Sequence, residues 1–113
     1  MPQYAVLLFA PAPGDMMDLP PEELAGHEAF GGKAAELGGR ILDPQALQPS
    51  TTARAIRGSV VTDGPFIEAK EVLAGFFVLE ARDIDHAVEI AKLNPATLRG
   101  GIEVRPLFAP PEE

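Results

Sequence analysis

The sequence predicts one α+β domain, an antiparallel sheet with two helices packed on one of its faces. Three observations carry that prediction. Two segments, near residues 20–37 and 83–94, repeat apolar residues at helical spacing. Extended segments rich in β-branched and aromatic residues flank each of them. Between the two halves runs Val60 to Glu80: a strand, an Asp63-Gly64-Pro65-Phe66 corner, a short charged excursion, then the most apolar strand of the chain. The order β-α-β, β-β, β-α-β is that of two split halves, the ferredoxin-like arrangement.

Gln3 to Phe9 is apolar on both alternating faces, as expected of a strand covered on both sides. Pro11 to Pro21 holds Pro13, Gly14, Pro20, Asp15 and Asp18 and predicts a loop. Pro20-Pro21-Glu22-Glu23 starts a helix, with proline in the first turn and acids at the positive end of the dipole. The helix runs to about Leu37 and stops at Gly38-Gly39. Gly26, Gly31 and Gly32 each weaken it by about 1 kcal/mol relative to Ala, unless they permit close packing on the sheet. Its apolar stripe is Leu24, His27, Phe30, Ala34 and Leu37, so one histidine stands within the inward-facing set.

Arg40 to Pro44 is a short strand or extended link. Thr51 to Arg57, a turn at Gly58-Ser59, and Val60 to Asp63 predict a hairpin. At the corner, Asp63 and Gly64 are turn formers and Pro65 fixes its own φ; nothing selects a cis bond there. On Val72 to Glu80, simple alternation sends Leu73, Phe77 and Leu79 to one face and Ala74, Phe76 and Val78 to the other. Asp83 caps the second helix, with Ile84, Ala87, Val88 and Ala91 inward and His86 on the solvent side; Asn94-Pro95 ends it. Ile102 to Phe108 is the last strand, and Pro110 to Glu113 is expected to fray. Two helices cover one sheet face only. An uncovered face this apolar predicts a face-to-face homodimer.

The 113 residues suit a single domain spanning 1–113. A net charge of −8 and scattered basic residues argue against a nucleic-acid partner, which demands clustered Lys and Arg. With no cysteine and two histidines, neither a disulfide nor a Cys- or His-rich metal site is expected, and no cofactor is implied. Met1 to Pro13 lacks the basic start of a signal peptide, and no apolar run is long enough to span a bilayer. The expected location is the cytoplasm, with no membrane partner.

A helix packed on the sheet aims His27 toward the strand ends, where Asp63 closes its strand. An imidazole oriented by a carboxylate is an acid/base pair that works near neutral pH. The alternative is a histidine buried neutral against backbone groups, with Asp63 capping its own turn. Arg54, Lys70 and Arg105 are the candidate contacts for an anionic small molecule, and Phe66 a candidate wall of its site; Glu103 alternates onto the same face as Arg105 and is a ready salt-bridge partner. A non-catalytic ligand-binding or interaction module is the second functional reading. No phosphate loop or dinucleotide fingerprint is present.

Thr62-Asp63-Gly64-Pro65-Phe66, with Glu68, Lys70-Glu71 and Leu73-Ala74-Gly75-Phe76, resembles the DGPF signature of YCII-related proteins. The resemblance continues through Leu47-Gln48-Pro49-Ser50, Thr52 and Arg54 and closes on Glu103-Val104-Arg105-Pro106-Leu107, so it covers nearly the whole chain. Ala69 and Ala53 depart from the usual Thr and Val. The resemblance implies a ferredoxin-like protomer of the dimeric α/β-barrel group, without a settled reaction. Many such proteins carry a histidine early in the first helix, before a Gly-Arg-Leu-Leu-like turn. His27 precedes Gly39-Arg40-Ile41-Leu42 in the same way, which carries the acid/base role onto it.

Overall fold

In the computed structural model, residues 1–108 are described. The chain forms β1 (Gln3–Pro11), α1 (Pro21–Glu36), β2 (Arg40–Ala46), β3 (Arg54–Arg57), β4 (Val60–Asp63), β5 (Glu71–Glu80), α2 (Ile84–Ala91) and β6 (Gly101–Pro106). The fraying expected of Pro110 to Glu113 concerns residues outside the described range. Four strands make one antiparallel sheet in the order β2-β5-β1-β6, while β3 and β4 pair as a separate hairpin. This is the expected α+β, ferredoxin-like arrangement, with the hairpin inserted between its halves. No helix among the described residues is long and apolar enough to cross a membrane.

Both helices lie on one sheet face. There Tyr4, Val6, Phe77 and Leu79 meet Phe30 and Ala34 from α1 and Ala87, Ile90 and Ala91 from α2. Val6, Leu79 and Ile90 are fully buried, and each contributes about 1.5–3 kcal/mol relative to an exposed side chain. The rings of Phe30 and Phe77 stack tilted at 5.6 Å. The end of α1 follows its sequence signal: Gly38 has φ +83°, its N–H donates to Ala35 O, and the Gly39 N–H donates to Ala34 O. That pair of bonds satisfies two of the helix's last carbonyls. Leu24 and Leu37, expected inside the α1 stripe, are instead nearly half exposed. Gly26 packs against Pro95, not against the sheet, while Gly31 and Gly32 face open space.

The second helix sits rotated from the predicted orientation. Ala87 and Ala91 face inward as expected, but Ile84 and Val88 are exposed, and His86 and Ile90 take the inward positions. His86 is therefore buried, not solvent-facing. The Arg82 N–H donates to its Nδ1 at 3.0 Å, so the ring proton stands on Nε2 and donates to Leu37 O at 2.6 Å. Leu37 O is one of the carbonyls left free at the end of α1. The imidazole thus ties the end of one helix to the start of the other, an arrangement that no alternation rule within α2 specifies. Asp83 caps as predicted, accepting from the His86 N–H at 2.8 Å.

Simple alternation also misplaces one residue of β5. Leu8 pairs with Gly75 but Phe9 pairs with Leu73, so a bulge at Ala74 shifts the parity. Leu73 joins Phe76 and Val78 on the face opposite the helices, alongside Leu7, Phe9 and Leu42 from the neighbouring strands. Among the described residues the cis proline bond lies at Ala12–Pro13 and not before Pro65.

Candidate functional site

A cavity of about 590 Å³ opens where the start of α1 crosses the ends of β1 and β5. Phe30, Ile41, Phe77 and Leu8 form its apolar body, the Pro11–Leu19 loop closes one side, and Arg99 enters from the segment before β6. Gly31 lies in its wall, and a Cβ there would meet nothing within 4 Å. The small residue keeps that part of the space open.

His27 lines the cavity, as does Glu23 one helical turn before it. Burial pushes the His27 imidazole below its ordinary value of 6.5, and the nearby Glu23 carboxylate pulls it partly back. Among the described residues no protein group hydrogen-bonds the His27 ring. His86 is the histidine held by backbone groups, whereas His27 lines the cavity. Glu23 is only 12% exposed, with Arg99 Nε 3.3 Å from its Oε2. That oxygen is occluded and accepts no hydrogen bond, so Arg99 compensates its charge without bonding alignment.

The remaining residues singled out in the sequence lie elsewhere. Asp63 and Arg54 are cross-strand partners on the hairpin, paired at 3.2 Å and both exposed. Asp63 is not among the described residues that line the cavity with His27. Gly64, at φ +96°, turns the chain and donates its N–H to Ala53 O. Phe66 does not reach the core: the Arg57 guanidinium stands 4.4 Å over its ring, and the two line a second pocket of about 210 Å³ with Ala55, Val60 and Thr62. Lys70 holds the link to β5, its carbonyl accepting from the Ala12 N–H at 2.8 Å. Arg105 pairs with Glu103 on the sheet face away from the helices. The sequence singles out His27, which lines the cavity, but not Glu23 beside it, although the i, i+4 spacing links the two. Nor does it single out Arg99, which only the tertiary fold brings to Glu23. Among the described residues no group of three or more His, Asp or Glu side chains could hold a metal ion.

A family model described as "YCII-related domain" matches residues 31–109. An uncharacterized protein of Rhizobium meliloti (strain 1021) is 39% identical over 77 residues, which cover 61% of this chain. The chain spans 60% of that relative's length. The family match takes in the Asp-Gly-Pro-Phe corner and β5 but begins after Glu23 and His27.

Proposed function

The chain belongs to the YCII-related domain family, and on that premise we propose that it is a small cytoplasmic homodimer whose cavity beneath α1 takes a small organic molecule and exchanges a proton with it through His27. The observation that carries this reading is a half-buried histidine with unengaged nitrogens and a carboxylate one turn away, both in the wall of a cavity of ligand size. An imidazole held below 6.5 is neutral near pH 7 and ready to accept a proton. Glu23 then stabilises the imidazolium that forms, and Arg99 lies 3.3 Å from that carboxylate. Asp63, on the hairpin, takes no part in this pair within one chain.

Thermal shift against a library of small organic molecules tests the site. Hits lost in Gly31→Leu and kept in Gly32→Leu support the cavity, since only Gly31 lines it. For a hit bearing an exchangeable C–H, deuterium uptake that vanishes in His27→Gln supports proton transfer. Binding without exchange favours the second reading, a non-catalytic small-molecule carrier, which the mostly apolar wall also suits.

The second copy of the chain is proposed on the open sheet face. Leu7, Phe9, Leu42, Leu73, Phe76 and Val78 lie together there, and neither helix covers them. Phe76→Asp is expected to convert a dimer to a monomer in sedimentation velocity; a native chain that sediments as a monomer at micromolar concentration contradicts the pairing. The cytoplasmic placement carries over the sequence expectation, and a cysteine-free chain is compatible with it.

A further inference from the structure

We propose that the molecule this cavity takes is an amine, a protonated nitrogen carried on a small hydrocarbon body. The inference rests on the reading of the cavity as a ligand site and adds the sign of the ligand's charge. The anionic ligand expected from the sequence required Arg54, Lys70 or Arg105 at the site, and none of the three lines the cavity. Arg54 is paired with Asp63 and Arg105 with Glu103, each on another part of the surface.

The charges that do line the cavity are of the opposite sense. Asp15, Asp18, Glu23 and Glu28 stand in the wall, and Arg99 is the one Lys or Arg there among the described residues. Asp18 and Glu28 are exposed, so water and salt weaken their pull. Glu23 is not: its side chain is nearly buried and its compensating charge is Arg99. An anionic ligand that engages Arg99 competes with Glu23 for it and sets a second negative charge beside a nearly buried carboxylate. An ammonium group meets no such conflict. It brings three donors to a wall rich in carboxylate acceptors, and its hydrocarbon body finds Phe30, Ile41 and Phe77. The net charge of −8 also favours the approach of a cation.

Three probes of similar size and different charge test this: phenethylamine, 2-phenylethanol and phenylacetate, titrated at pH 7 and low salt by calorimetry. Phenethylamine is expected to bind about tenfold more tightly than phenylacetate, with the alcohol between them. The amine should weaken several-fold in Glu23→Gln and lose binding in Gly31→Leu. If Glu23→Gln does not fold, Asp18→Asn combined with Glu28→Gln, both at exposed positions, should reduce the amine's advantage over the alcohol. Phenylacetate binding as tightly as the amine, or an alcohol equal to it, overturns the amine class while leaving the cavity a ligand site. Failure of all three to bind, or binding unchanged in Gly31→Leu, overturns the cavity reading and this inference with it.

Discussion

Two Arg–carboxylate pairs of nearly equal length occupy very different surroundings in this molecule. On the hairpin, Arg54 and Asp63 meet at 3.2 Å with 63% and 89% of their side chains exposed. Beneath α1, Arg99 and Glu23 meet at 3.3 Å with 37% and 12% exposed. Water and salt screen the first pair, so it contributes about 0–1 kcal/mol. In the second pair the carboxylate has lost most of its water and depends on its partner. Distance alone would rank them as equals; solvent access decides which one tunes a neighbouring group. The pair within the family signature, on the hairpin, is the one with little leverage on any other residue.

The largest expected contrast lies in the aromatic residues of the two regions. Phe77→Ala, beneath α1, removes a buried ring stacked on Phe30 and should cost about 3–5 kcal/mol in urea unfolding. Phe66→Ala on the hairpin loses a half-exposed ring and its Arg57 contact, worth about 0.5–1 kcal/mol. Similar losses at the two positions would remove the distinction. The charge pairs come next. Arg99→Ala should destabilise by about 2 kcal/mol, because it strands a nearly buried Glu23, whereas Arg54→Ala should fall within about 0.5 kcal/mol of the unaltered chain. An equal effect of the two would show that Glu23 is hydrated after all.

The smallest expected effect is pH-dependent. The His27 imidazole titrates below 6.5 in the folded protein, so the unfolded chain binds more protons in the interval between the two values. Stability at that site is therefore full above about 6.5 and is lost as pH falls through the lower folded value. His27→Gln should flatten this part of the stability–pH curve, and Asp63→Asn should leave it unchanged. A slope of opposite sign, with stability rising on acidification, would mean that His27 is held charged and not neutral.

How much of this was legible in the sequence varied with how local the cause was. The α1 stop at Gly38-Gly39 and the Asp83 cap depend on a few neighbouring residues, and both formed as read. The face of Leu73 was misread because a bulge at Ala74 leaves no mark in a run of apolar residues. The rotation of α2 was misread because a hydrogen bond from His86 to the end of α1, 49 residues away, draws that position inward. At the site, helical spacing placed His27 on the inner face of α1. Asp63 closes its strand as expected, but that strand belongs to a hairpin set apart from the main sheet, and Asp63 does not line the cavity with His27. Arg99 and the Pro11–Leu19 loop reach the cavity through tertiary packing, which spacing cannot encode.

The most direct test is an NMR titration of the His27 ring in three proteins: the unaltered chain, Glu23→Gln and Asp63→Asn. The expected midpoint lies below 6.5 in the unaltered protein and lower still in Glu23→Gln, because the carboxylate that favours the imidazolium is gone, and it does not move in Asp63→Asn. A midpoint that shifts with Asp63→Asn and ignores Glu23→Gln would contradict that expectation.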